Sequence, residues 1–137
     1  MKINLTILCI AFLCLSPFSS FAQKLCPFRA PIGETGLRKQ KATKSVQPIY
    51  PQESLANHIT GRVIVQILVD ETGKVSEVNV KQAPDKLTGD SVVTAARQWE
   101  FKAPPKVQGR QICYESTLSF KFEIQSGKGR VIDDPVN

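Results

Sequence analysis

The stretch "GRVIVQILVDETGKVSEVNVKQ", residues 61–82, reads as a β-hairpin. Val63, Val65, Ile67 and Val69 alternate within a β-branched run, the period-two signal of a strand with one buried face. Gly73 in "DETGK" is able to take the positive φ that closes a short loop, so residues 75–81 return antiparallel.

Working outward, "QPIYP" at residues 47–51 precedes a short helical pattern. Pro51 suits the first turn, Glu53 suits the positive end of the dipole, and Leu55 and Ile59 share a face. Helix is therefore expected over 51–60, with Gly61 ending it in a left-handed conformation. Downstream, "DSVVTAARQWEFKAPP" offers Asp90 as a cap and Val92, Ala95, Ala96 and Trp99 at helical spacing. A second helix is expected from Ser91 to Gln98 or Trp99, since Pro104 and Pro105 prevent continuation.

The last regular pattern is "QICYESTLSFKFEI". Ile112, Tyr114, Leu118, Phe120, Phe122 and Ile124 fall on one face, and Cys113, Glu115, Thr117, Ser119, Lys121 and Glu123 on the other, which predicts a long strand with one wet face. If the second helix crosses over the hairpin, this third strand arrives antiparallel to the first and pairs beside it. The expected fold is α+β, a two-layer sandwich: a three-stranded antiparallel sheet in the order 2-1-3, with two helices on one face burying Leu55, Ile59, Val92, Ala96 and Trp99. The topology is α-β-β-α-β, the third strand is left as an open edge, and residues 125–137 read as a flexible tail.

The 137 residues suit one small domain with extra segments. Residues 1–22 have the layout of a secretory signal peptide: Lys2, an apolar stretch from Leu5 to Leu15, then Ser20 and Ala22 before the cut. That apolar stretch spans about 16 Å as a helix, short of the roughly 30 Å hydrocarbon core of a membrane. The expectation is a periplasmic, exported protein, tethered to the membrane only if the signal stays uncut. Export without Cys9 and Cys14 leaves Cys26 and Cys113 in an oxidising compartment. A disulfide between them is expected, with two free thiols as the alternative. Closing a loop of about 90 residues, it stabilises by about 4.5 kcal/mol in the chain-entropy account, less any native strain. It also predicts that "LCPF" crosses the sheet's outer face as a strap, Leu25 and Phe28 covering Ile64 and Leu68.

Charge is concentrated in the arm, residues 23–45, where six cations face Glu34 alone. Residues 45–137 balance eleven basic against eleven acidic residues, which excludes the electrostatic footprint of a nucleic-acid binder. The arm could touch anionic lipid or an acidic partner, or simply be a solvated linker.

The motifs in order, "QPIYP", Gly61 opening a valine-rich strand, "VDETGKV" and "RQWEFKAP", resemble the C-terminal domain of TonB-type energy transducers over residues 46–124. The resemblance implies a domain that grips the N-terminal plug peptide of an outer-membrane, TonB-dependent receptor and passes on inner-membrane energy as mechanical work. It implies that the peptide adds as a strand to the edge of the third strand, a mode an unpaired edge makes reasonable. The partner-binding residues so implied are Gln47, Pro48, Tyr50 and Pro51 in the proline-flanked segment, and Ile112, Tyr114, Ser116, Thr117, Leu118 and Ser119 on the edge. The prolines hold Tyr50 in place, and the alternative for Tyr50 is a simple staple on the first helix. A complete transducer has a membrane helix and a long Pro-rich spacer. Here the apolar segment is short and lacks histidine, and residues 23–44 reach only roughly 75 Å fully extended. A stand-alone domain without its own motor coupling is therefore expected. A structural module that self-associates through the sheet edge, as a homodimer, is the alternative.

Enzymatic chemistry has little to work with. His58 is the single histidine and suits a surface role at a helix end. A Cys-His pair needs a thiol that the disulfide removes, and Cys26 and Cys113 match no metal-ligand spacing. "GETGLRK" lacks the strand and the Gly-Lys-Ser ending of a phosphate loop. No enzyme, cofactor or metal is expected.

Overall fold

A computed structural model describes residues 29–31, 42–106 and 108–134. The signal segment, Cys26, "LCPF" and most of the basic arm lie outside the described residues. The elements are β1 (Arg29–Pro31), α1 (Gln52–Ala56), β2 (Gly61–Val69), β3 (Val75–Gln82), α2 (Lys86–Ala96), β4 (Cys113–Gln125) and β5 (Lys128–Asp133). Among the described residues the fold is α+β, with one sheet and two helices.

β2 is the middle of the sheet. Its inward residues Val63, Val65, Ile67 and Val69 are fully buried, as their alternation requires. The loop to β3 is organised by Asp70, whose Oδ1 accepts from the Thr72 N–H at 2.8 Å and the Lys74 N–H at 3.1 Å. Gly73 has φ +89°, and its carbonyl accepts the Phe101 N–H at 2.7 Å, so the backbone of the segment after α2 lies directly on the loop. β3 returns antiparallel with two irregularities, which leave Ser76 and Lys81 outside the one-to-one register with β2.

Both helices differ in extent from the sequence pattern. α1 is shorter than 51–60 because His58, at φ +53°, turns the chain out of the helix before Gly61. α2 begins at Lys86, before the expected Ser91, because Asp85 and not Asp90 caps it. The Asp85 carboxylate accepts the Thr88 N–H at 2.9 Å and the Ser54 hydroxyl at 2.6 Å, tying α1 to the start of α2. Gly89 interrupts the apolar pattern that would have revealed the first turn, and it sits there because a Cβ would lie 3.3 Å from that of Ala83. Beyond Ala96 the chain tightens into a last turn, with Gln98 N–H to Ala95 O at 3.0 Å and Trp99 N–H to Ala96 O at 3.1 Å.

The sheet has five strands where three were expected. β4 pairs antiparallel with β2 from Gly61↔Phe122 to Val69↔Tyr114, giving the expected 2-1-3 arrangement of the three long strands. Its other side is not open. β1 pairs with it in parallel, Arg29↔Cys113 to Pro31↔Glu115, and β5 pairs antiparallel, Phe120↔Asp133 to Gln125↔Lys128. The expectation of a free rim and a flexible tail is corrected by the turn at "QSGK". Ser126 and Gly127 both have positive φ, 51° and 74°, so a two-residue loop reverses the chain with the twist a hairpin needs. Residues 29–31 lie along the sheet's edge, and the stretch expected as a strap, "LCPF", lies outside the described residues.

Between sheet and helices, Trp99 packs edge-on to Phe120 with ring centroids 6.0 Å apart, and Phe101, Tyr114 and Val92 complete this end of the core. On the opposite face Leu68 is only 4% exposed and Cys113 is buried.

Candidate functional site

Strand addition needs backbone groups that no strand already uses, so the two rims of the sheet must be compared. β3 forms one rim. Its two displaced residues, Ser76 and Lys81, interrupt the ladder, and bulges of this kind together with an edge lysine blunt a rim against pairing.

β4 forms the other. The Ser119 carbonyl accepts the Asp134 N–H at 3.0 Å, so Ser119 directs its backbone groups to this side. Because the direction alternates along a strand, Thr117, Lys121 and Glu123 direct theirs the same way. β5 is in register with residues 120–125 and β1 with residues 113–115. Among the described residues no strand is in register with 116–118 on that side, and the Thr117 N–H and C=O lie between the ends of β1 and β5.

β5 is held at both ends. The Arg62 guanidinium reaches from β2 across β4 to Asp134, Nε and one terminal nitrogen each 2.7 Å from the same carboxylate oxygen. At the other end Arg130 bonds to Gln125 beside the turn.

The proline-flanked segment runs along α2 toward β5. Trp99 Nε1–H donates to the Val46 carbonyl at 2.8 Å, and the Ser91 hydroxyl donates to the Ile49 carbonyl at 2.5 Å. Ile49 is thereby turned outward, 79% exposed, whereas Pro48 and Tyr50 turn in. Tyr50 donates its hydroxyl to the Ile59 carbonyl and meets the Phe122 ring edge-on at 5.2 Å. Its ring lies against the backbone of β5: a Cβ at Gly129 would stand 2.6 Å from Tyr50 Cδ2 and 2.7 Å from Cγ. Burial, then the nearby Asp85 charge, raise the Tyr50 pKa above its ordinary value.

Residues 46–124 match the family described as Gram-negative bacterial TonB protein C-terminal. The chain belongs to the TonB C-terminal family. That family consists of energy-transducing and binding proteins, not enzymes. Protein TonB of Yersinia enterocolitica is 31% identical over 116 residues, covering 77% of this chain and 44% of that protein. Protein TonB of Pseudomonas aeruginosa is 28% identical over 101 residues, covering 72% of this chain and 29% of that protein. The chain thus spans less than half the length of these relatives. The solution structure of the Pseudomonas aeruginosa TonB C-terminal domain matches with a TM-score of 0.53 at 24% identity, over 71% of this chain and 95% of that one, and shares the fold.

Within this TonB-type fold the residues expected from sequence fall into three groups. Ser116, Thr117, Leu118 and Ser119 lie on the stretch of β4 between β1 and β5. Tyr114 and Ile112 are buried at the start of β4, and the Tyr114 hydroxyl has no hydrogen-bond partner among the described residues. Desolvation pushes its pKa up to about 12. Tyr50 and Pro48 are buried on the inner layer beside β5, Pro51 is half-buried, and the Gln47 side chain is exposed. Sequence reasoning passed over Arg62, Asp134, Gly129 and the Ser126–Gly127 turn. A Ser-Gly pair after a long strand is a hairpin signal, but the Arg62–Asp134 and Tyr50–Gly129 contacts have no short-range signature. Among the described residues no three His, Cys, Asp or Glu side chains gather as a metal site, and no helix is long and apolar enough to cross a membrane.

Proposed function

We propose that this chain is an exported, periplasmic TonB-type domain that binds an extended peptide of an outer-membrane transporter by strand addition to β4, in TonB-dependent transport. The observation that carries the reading is the uneven treatment of the two rims. β3 is blunted by bulges within its own backbone, whereas β4 is covered by two short strands that lie outside the hairpin-helix body and, among the described residues, have 116–118 between them. A visiting strand starts at Thr117 and extends by taking the place of β5. Displacement costs the visitor the β5 contacts, which favours a peptide delivered at high local concentration, as from a transporter held nearby.

The test is Thr117→Pro. Its N–H points away from β2, so the β2–β4 ladder is kept while a visitor loses one bond and meets the ring. Binding of a transporter's N-terminal peptide, followed by titration calorimetry, is expected to weaken at least about tenfold, with far-ultraviolet circular dichroism unchanged. Unchanged affinity would remove strand addition at this edge. Self-association through the same edge is the competing use, and a concentration-dependent dimer in sedimentation that Thr117→Pro abolishes would favour it.

The reading also includes removal of residues 1–22 and a bridge between Cys26 and Cys113. Support for the bridge is positional: β1 sets Arg29 beside Cys113, three residues after Cys26, and Cys113 is buried on a face where Leu68 is also covered. The bridge would hold β1 on β4, so the start of the edge is closed permanently and only the β5 side exchanges.

A further inference from the structure

We infer that Tyr50 is a specificity-determining residue which requires the visiting peptide to carry glycine at the position facing it, opposite Ile124. The inference rests on strand addition in place of β5 and adds a sequence requirement to it. Gly129 of β5 is in register with Ile124, whose side chain points to the inner layer, so residue 129 faces inward as well. A Cβ there would come within 2.6 Å of Tyr50 Cδ2, 2.7 Å of Cγ and 3.2 Å of Tyr50 Cβ.

The fold opposes any movement of the ring that would relieve this. The two prohibitive approaches, 2.6 and 2.7 Å, are to ring atoms, whereas the 3.2 Å approach to Tyr50 Cβ is relieved by a shift of a few tenths of an ångström. The ring is held by its hydroxyl on the Ile59 carbonyl and by its edge-type contact with Phe122. The backbone is held by prolines on either side and by the Ser91 hydroxyl on the Ile49 carbonyl. A strand can lie at the ordinary ladder distance from β4 only if the residue over Tyr50 has no side chain. Any other residue forces the strand outward and weakens its bonds to Lys121 and Glu123. The chain's own β5 meets the requirement with Gly129, and a competing peptide must meet it too.

The test uses the full chain carrying Gly129→Ala, whose own β5 competes less well for the edge. Arg62→Ala, which frees the other end of β5, is a second host in case the first folds poorly. The probes are two synthetic peptides: the sequence of residues 128–133, and the same sequence with alanine in place of its glycine. The glycine peptide is expected to bind at least about tenfold more tightly on either host, the scale of an overpacked buried position. Adding Tyr50→Ala to the host is expected to bring the two affinities together. Amide exchange at Lys121 and Glu123 is expected to be faster in Gly129→Ala than in the parent chain. Equal binding of the two peptides to a Tyr50 host would overturn the glycine requirement and leave strand addition standing. Preference that persists in Tyr50→Ala would overturn Tyr50 as its source, and unaltered exchange in Gly129→Ala would overturn the steric premise. Failure of both peptides to bind hosts whose edge amides have become fast would overturn strand addition itself.

Discussion

Tyr114 carries a hydroxyl into the core without a bonding partner among the described residues, 1% exposed, and its pKa is raised from 10.0 to about 12 by desolvation. An unmatched buried hydroxyl is a net cost, so Tyr114→Phe is expected to be neutral or to stabilise by about 1 kcal/mol in urea unfolding. The sign of the pH effect follows from the direction of the shift. Between pH 10 and 12 the unfolded chain loses the Tyr114 proton while the folded chain keeps it, so stability falls across that window. The phenylalanine variant is expected to lose that part of the alkaline decline. An unchanged alkaline profile would show that the hydroxyl is solvated in the folded chain. At this scale the sequence was partly legible. Tyr114 fell on the inward face by alternation, but its lack of a partner depends on what lies opposite, which alternation does not encode.

Among the elements, α2 depends most on a single contact. Burial acts to raise the Asp85 pKa, but hydrogen bonds from Ser54 and Thr88 outweigh it and hold the carboxyl below its ordinary value of 3.8. A carboxyl depressed in this way stabilises the fold fully above its unfolded value, and the contribution is lost as pH falls through the lower folded value. Asp85→Ala is expected to cost about 1–2 kcal/mol at neutral pH, from the lost cap and the stranded Ser54 hydroxyl, with the gap to the parent chain closing in acid. A thermal-unfolding series from pH 7 down to pH 2 checks this, and a gap that stays constant would count against the cap. The pattern of "DSVVTAAR" placed the body of this helix but not its start, because Gly89 breaks the apolar periodicity before it and the tie from Asp85 to Ser54 spans 31 residues. The same limit hid β5. Its residues alternate weakly, Gly129 breaks the apolar face, and the reason for that glycine is an aromatic ring 79 residues earlier in the chain.

For the molecule as a whole, the question is how its ends are held on one strand. β1 and β5 come from opposite ends of the described chain and both lie on β4. With the proposed Cys26–Cys113 bridge the N-terminal cover is covalent and the C-terminal one is not. Non-reducing peptide mapping of the exported protein is expected to recover Cys26 and Cys113 in one linked fragment. Reduction is expected to lower the unfolding free energy by about 2–4 kcal/mol. Free thiols at both positions would remove the covalent cover and make the two ends of the edge equivalent.

Local pattern by itself determined the β2–β3 hairpin, the body of α2, the inward face of β4 and, through motifs in order, the TonB C-terminal family. Each of these is written in neighbours within a few residues, as periodicity, turn chemistry or capping. Only the tertiary structure decided that the β4 rim is covered, and where. That outcome follows from pairings and close approaches between residues tens of positions apart, Arg62 with Asp134 and Tyr50 with Gly129, which depend on three-dimensional register and on the absence of a single Cβ.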